Sequence, residues 1–250
     1  RYEIGSLTMS GLRGPGKILT IALFGILMAG PTEAAKLVVV SSTVPELVPG
    51  QVIDGTSSIN VGAGQSVSIV APGIEPVAIE GPFSGAPESR DGLIGLPEQE
   101  QDAINELASL FVEDTSEDGK RAIRRRGKGP KNAWDLNVAV AGNHCIRPTK
   151  DFQMWRPNAG RSAQLSIKDL ATKKRFKTTW PAKESYMSWP KEVKVEDGAT
   201  YLLKVKGATL ASKLQVHIVP KKFPTTTARV VWMSKHGCKY QAKRMISRRR

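Results

Sequence analysis

The chain of 250 residues has a formal net charge of +14, and this charge is divided unevenly. Residues 1–119 carry 5 basic and 16 acidic side chains, whereas residues 120–250 carry 32 basic and 7 acidic ones, which indicates an anionic partner for the basic half. Sparse aromatic residues, abundant Gly and Pro, and short β-branched runs favour short strands joined by turns. No apolar run after the first 35 residues approaches a membrane span, which excludes a membrane-spanning mature chain.

Residues 9–35 have the pattern of a secretory signal peptide. Arg13 and Lys17 precede an apolar run over residues 18–30, and the small residues at 32–35 predict cleavage after Ala34 or Ala35. The apolar run is shorter than the roughly 20 residues of a membrane span, although a retained N-terminal anchor is the alternative. Residues 1–8 precede the first possible start and are interpreted as upstream sequence. We therefore predict a periplasmic or secreted protein.

Residues 36–85 predict an all-β unit. Strands are predicted at 36–42, 51–53, 58–61, 66–70 and 76–80, and Asp54-Gly55 between two apolar runs favours a hairpin. The Gly–apolar–Asp-Gly pattern at 50–61, followed by apolar ladders at 65–70 and 77–83, resembles the periplasmic domains of FecR-type proteins. This resemblance implies a small periplasmic β module. In that family the domain senses or relays signals.

A helix and a linker are predicted to follow. Residues 97–112 have acidic residues in the first turn and an apolar face of Ile104, Leu107, Ala108 and Phe111, which predicts an amphipathic helix. Residues 113–132 change from acidic to basic without periodicity, which is typical of a flexible linker.

Residues 133–224 predict a β-sandwich. Strands are predicted at 134–140, 162–167, 176–180, 185–189, 200–205 and 213–219, with Trp155, Trp180 and Trp189 in the core. The stretch 197–201, ending in Tyr201, is similar to the tyrosine corner of immunoglobulin-like domains, which implies that fold. Position 203 is Leu rather than Cys, so the usual inter-sheet disulfide of that family cannot form.

Residues 225–250 predict a helical hairpin. The first helix has Ala228, Val231 and Trp232 on one face, after a capping region of threonines, and His236-Gly237 predicts the turn. The second helix is predicted to bury Cys238, Ala242 and Met245 and to direct Lys239, Lys243 and Arg244 outward. The expected fold is mostly β: a FecR-like module and an immunoglobulin-like sandwich with this terminal hairpin.

Cys145 and Cys238 predict a disulfide that joins the terminal helices to the sandwich. A metal site that also uses His144 and His236 is an alternative, but adjacent residues rarely ligate one tetrahedral ion and the spacing differs from that of structural zinc pairs. A redox-active pair is another alternative, although the sequence has no Cys-x-x-Cys motif. We predict no metal site and no cofactor.

Catalytic signals are poor, and we predict no catalytic residue. There is no Gly-x-Ser-x-Gly elbow, and His217 alternates outward with Gln215 on a predicted strand. Basic side chains instead predict contacts to polyanions, whose affinity falls with salt. The candidates are Lys120, Arg121, Arg124, Arg125, Arg126, Lys128, Lys131, Arg248, Arg249 and Arg250.

The predicted function is non-enzymatic binding or scaffolding in the bacterial envelope, with an envelope protein or an anionic envelope surface as partner. Nucleic acid is disfavoured, since the tryptophans that would stack on bases are predicted to lie in the core. Two alternatives to an anionic partner are that the basic residues form a solvated surface and that the acidic half neutralises them. The functional alternatives are an accessory sensor domain for a membrane signalling protein and a hydrolase of envelope polymers.

Overall fold

A computed structural model of the protein describes residues 34–96, 99–112, 129–147, 152–207 and 211–247. The predicted leader therefore lies outside the described residues except for Ala34 and Ala35, and so do residues 113–128 of the linker predicted over 113–132. The chain is mostly β, with a pair of helices at the C-terminal end.

Residues 34–96 form two sheets. The elements here are β1 (Lys36–Ser42), β2 (Val52–Asp54), β3 (Ile59–Val61), β4 (Ser66–Val70), β5 (Val77–Glu80), β6 (Phe83–Gly85) and a 3₁₀ turn at Pro87–Ser89. One sheet is antiparallel in the order β2-β1-β4-β5, and the other pairs β3 with β6. A Cβ atom at Gly81 would lie 1.9 Å from the backbone oxygen of Gly62. Only glycine therefore permits these two segments of the chain to approach so closely.

The hairpin predicted at Asp54-Gly55 is wrong. The strand before this turn, β2, pairs with β1, and the strand after it, β3, pairs with β6, so the turn connects two different sheets. The Asp54 carboxylate accepts hydrogen bonds from the Thr56 hydroxyl and backbone N–H, which together with Lys36 lower its pKa to about 2. Local turn chemistry stabilises the bend without determining which strands pair.

The described residues after 129 form two further sheets that face a common core. The strands here are β7 (Leu136–Asn137), β8 (Gly142–Ile146), β9 (Gln153–Trp155), β10 (Ala163–Asp169), β11 (Arg175–Trp180), β12 (Tyr186–Ser188), β13 (Thr200–Val205) and β14 (Ser212–Ile218). The larger sheet has the order β11-β10-β13-β14-β8, with β8 parallel to β14, and the smaller has the order β12-β9-β7. Leu136 and Met154 from the smaller sheet and Leu165, Leu203 and Leu214 from the larger pack in one cluster.

The strand predicted at 134–140 is reduced to two residues. The side-chain oxygen of Asn137 accepts a hydrogen bond from the N–H of Ala139, and the Asn137 carbonyl accepts one from Val140. These two bonds turn the chain away from the sheet before β8 begins. The predicted tryptophan core is confirmed, because Trp155, Trp180 and Trp189 are buried.

Three helices form a layer that contacts both halves. They are α1 (Gln101–Ser109), α2 (Thr226–Lys235) and α3 (Lys239–Ser247). Their core includes Ile104 of α1, Met233 of α2 and Ile246 of α3, packed with Val38 and Val70 of the N-terminal sheet. The same strand β1 buries Leu37 and Val39 on its other face, in the N-terminal core. The N-terminal sheet is therefore covered by helices that include α2 and α3, more than 140 residues away in sequence.

The buried face of α2 differs from the prediction. Val230 and Met233 are fully buried, whereas Val231 and Trp232 are only partly covered. The reason lies at the start of the helix, where the Thr226 N–H donates to Glu75 (2.9 Å) and the Thr227 hydroxyl donates to the Ile74 carbonyl. The helix ends as predicted, with Gly237 in the left-handed region at φ +75°.

Candidate functional site

One face of the five-stranded sheet carries six basic side chains on neighbouring strands. Register places Arg175, Lys168, Leu202 and Lys213 in one row across four strands. The next row has Lys177 and Lys204 on either side of Ser166, and Lys206 follows beside Gln164. We call this surface the cationic face, defined by Lys168, Arg175, Lys177, Lys204, Lys206 and Lys213.

Strand alternation places these residues on the outside. Along β10 and β13, the residues that alternate with the outward-facing ones, such as Leu165, Ile167 and Leu203, are buried in the sandwich. The side-chain period of two therefore directs the basic residues to the opposite face. Five of the six basic side chains are exposed and Lys168 is half-buried.

The cationic face has no acidic side chain to balance its charge. The outward positions of β10, β11, β13 and β14 contain no Asp or Glu, and none of the six basic residues forms an ion pair within the described part of the chain. Lys168 lies directly opposite Arg175, and like charges in such pairs oppose strand pairing. Two charges about 7 Å apart repel by roughly 0.6 kcal/mol even in water. A bound anion would relieve this repulsion.

A shallow groove lies within the cationic face. It has a volume of about 400 Å³ and is lined by Lys177, Lys204 and Lys206, with Gln164 and Ser166 among its other residues. Three ammonium groups and two neutral hydrogen-bonding side chains suit a ligand that carries both negative charge and hydroxyl groups.

The structure places few of the residues predicted to contact polyanions. Lys120, Arg121, Arg124, Arg125, Arg126, Lys128, Arg248, Arg249 and Arg250 lie outside the described residues. Lys131 is described and exposed, and it lines a different cleft, with its backbone N–H donating to the Tyr186 hydroxyl. Sequence reasoning missed the cationic face. The available signal was basic residues at alternate positions, as in Arg175-Phe-Lys177 and Lys204-Val-Lys206.

The predicted disulfide between Cys145 and Cys238 is present. Both half-cystines are buried, at 0% and 1% exposure, which restricts access of other thiols and favours a structural role over a redox-active one. The disulfide joins β8, at the edge of the larger sheet, to the start of α3.

Gln241 of α3 completes this junction. Its side-chain oxygen accepts a hydrogen bond from the Cys145 N–H (2.7 Å), and its nitrogen donates to the carbonyls of Cys145 (2.8 Å) and Ala133 (2.7 Å). The buried amide therefore pairs with the free edge of β8 as a neighbouring strand would.

The three histidines occupy structural positions. The His144 Nε2–H donates to the Val140 carbonyl (3.0 Å), and burial lowers the pKa of this side chain. Burial and the nearby His236, whose ring centroid is 5.3 Å away, lower the pKa of His217. In the ranges that the structure describes, no three His, Cys, Asp or Glu side chains are grouped to hold a metal ion.

No family model matches the chain, and no curated protein matches it either. None of the helices within the described residues is both long enough and apolar enough to cross a membrane.

Proposed function

We propose that this protein is exported to the bacterial periplasm or beyond, and that its cationic face binds an anionic polysaccharide of the envelope without catalysis. The observation that carries the proposal is the group of six basic side chains on one sheet face, with no carboxylate among the outward positions of its strands. Such a surface lowers the folding stability of the isolated protein, and a polyanion would remove that repulsion.

A hydrophilic polymer fits the cationic face better than a lipid bilayer does. Stable attachment to a membrane surface usually combines basic residues with an inserted apolar group. The large apolar side chains that are exposed in the described residues lie elsewhere, and no strand of the cationic face contributes one; they are Val48, Val52, Ile94, Val112, Val140 and Tyr240. Between the basic residues stand the half-buried Leu202 and three polar residues, Gln164, Ser166 and Thr179, whose side chains can bond to sugar hydroxyls.

Export is supported by the sequence of the leader and by the buried disulfide, since structural disulfides persist in oxidising compartments. We also propose an immunoglobulin-like fold for the C-terminal sandwich. The Tyr201 hydroxyl donates to the Lys194 carbonyl at 2.8 Å, seven residues upstream, which supports the tyrosine-corner interpretation. The FecR-like character of residues 36–85 stays a prediction.

Binding of polygalacturonate, a polymer of carboxylated sugars, tests this function. The variant K177Q/K204Q/K206Q removes three charges from the groove, and the control K191Q/K222Q/K235Q removes three exposed charges elsewhere. We expect the wild type and the control to bind the polymer with an affinity that falls as salt rises, because bound polymer displaces counterions. The groove variant should bind about tenfold more weakly, with a smaller dependence on salt.

Equal affinity of the two triple variants would contradict a role for the cationic face. Vesicles that contain phosphatidylglycerol provide the second comparison. If the wild type binds these vesicles more tightly than polygalacturonate, the polysaccharide assignment is wrong. Fractionation of cells that express the full chain tests export, and recovery of the protein in the cytoplasm with two free thiols would refute it.

A further inference from the structure

A second cleft lies away from the cationic face, where the chain before β7 meets β9 and β12. It has a volume of about 730 Å³, and its lining includes Lys131, Trp134, Arg147, Phe152, Gln153 and Tyr186. We call it the aromatic cleft. It combines three aromatic rings with two basic side chains and one carboxylate, that of Asp135, which accepts a hydrogen bond from the Asn132 N–H (2.9 Å). The groove between the lysines is lined by neither aromatic nor acidic side chains.

The walls of the aromatic cleft are fixed by packing. Phe152 is stacked on Trp189 with ring centroids 5.1 Å apart, and Trp189 packs edge-on against Tyr201 at 5.2 Å, inside the sandwich core. The Tyr186 hydroxyl, also in the lining, accepts a hydrogen bond from the Lys131 backbone N–H. The aromatic surfaces are therefore held in place by the fold.

Arg147 is the basic residue of the aromatic cleft whose guanidinium lies over an aromatic ring. Its guanidinium lies 4.9 Å from the centroid of the Trp134 ring, and the residue is exposed. None of the acidic side chains in the described residues forms an ion pair with it. A guanidinium held over an aromatic ring keeps its N–H edge available for the two oxygens of a carboxylate.

We propose that the aromatic cleft binds a single carboxylate-bearing sugar unit. The carboxylate would pair with Arg147, the apolar face of the sugar ring would lie on Tyr186, and Gln153 would bond to its hydroxyls. This inference rests on the proposed function and deepens it, since it names the acidic sugar as the unit that is recognised. A nucleotide suits the cleft less well, because Arg147 covers the Trp134 ring and Phe152 is already stacked on Trp189.

Titration with a trimer of galacturonate tests the inference, with calorimetry and tryptophan fluorescence as readouts. The variant R147Q is compared with R90Q, because Arg90 is also exposed and lies 5.4 Å from the centroid of an aromatic ring, Phe83, outside the cleft. We expect R147Q to weaken binding at least fivefold and R90Q to leave it unchanged. The variant R147K, which keeps the charge but loses the planar group, should fall between R147Q and the wild type. A neutral galactose trimer should bind at least fivefold more weakly than the acidic one.

Three results would overturn the inference: unchanged affinity in R147Q, equal binding of the neutral trimer, or tighter binding of adenosine monophosphate than of the acidic trimer. The triple variant K177Q/K204Q/K206Q separates the two proposals. It should lose affinity for the polymer but bind the trimer as the wild type does. If the wild type binds the trimer and the triple variant binds the polymer as tightly as the wild type does, the function of the cationic face fails and the aromatic cleft stands. If the triple variant loses affinity for the polymer and the wild type does not bind the trimer, the aromatic cleft fails and the cationic face stands.

Discussion

Replacing Gln241 with Met tests how the helical layer is joined to the sandwich. Methionine has a similar length and shape but cannot form hydrogen bonds of this kind, so the variant loses three bonds of 2.7 to 2.8 Å. Gln241 is 5% exposed, and the Cys145 backbone that it contacts is buried. Little water can reach the N–H and carbonyl groups that the substitution leaves without this partner.

The expected loss follows from these three contacts. A buried hydrogen-bonding group that loses its partner costs about 1–3 kcal/mol, and the apolar methionine side chain offsets part of that cost. We expect the free energy of unfolding to fall by about 3–5 kcal/mol, a large fraction of the roughly 5–15 kcal/mol typical of folded proteins. The variant Q241E should lose more at neutral pH, because it places a carboxylate oxygen where the nitrogen faces two carbonyls.

Urea unfolding of the oxidised protein measures the difference. Gln215 supplies the matched control, since it is exposed and its side chain makes one long hydrogen bond of 3.4 Å to Gly198. The variant Q215M should therefore change the free energy of unfolding by no more than about 0.5 kcal/mol. A loss in Q241M that is below 1 kcal/mol, or equal to that in Q215M, would refute the reasoning about the edge of β8.

Three further predictions concern stability. The double variant C145A/C238A removes a cross-link between residues 93 apart, and urea unfolding should show a loss of about 4–5 kcal/mol; an unchanged midpoint would contradict this. Y201F removes the hydrogen bond to the Lys194 carbonyl and should lower the free energy of unfolding by about 1 kcal/mol. An unchanged free energy of unfolding would contradict this prediction. Burial lowers the pKa of His144 below the unfolded value near 6.5, so the unfolded chain takes up protons first as the pH falls. The free energy of unfolding should therefore fall below about pH 6.5, by up to about 1.4 kcal/mol per pH unit, and H144Q should reduce this slope.

Local sequence patterns predict most strands well. The alternation of Ser66-Val67-Ser68-Ile69 and the β-branched run at 36–42 give the observed bounds of β4 and β1. In contrast, β8 contains Gly142 and Asn143 and has no apolar alternation. It becomes a strand because it pairs in parallel with β14 and is covered by α3, and both contacts are distant in sequence.

The cationic face could not be predicted from the local patterns alone. Its basic residues stand on strands predicted separately, but β10 has β11 on one side and β13 on the other, and this order depends on the whole sandwich. The dense run at 120–131 drew the polyanion prediction instead, because charge density is visible without a fold. Likewise, the buried face of α2 depends on contacts with Ile74 and Glu75. These residues are distant in sequence, so the apolar periodicity of the helix cannot predict the contacts.

The order in which the chain emerges during synthesis gives the helical layer a further consequence. Strand β1 begins at residue 36, and α1, which contacts it, follows at residues 101–109. The cluster around Val38 and Val40 also includes Val230, Met233 and Ile246, so this core is completed only when residues 226–247 have emerged. Contacts between such distant segments slow folding and prolong the exposure of apolar strands to aggregation. The cover of the N-terminal sheet is thus completed about 145 residues of synthesis after its own strands, when α2 and α3 have formed.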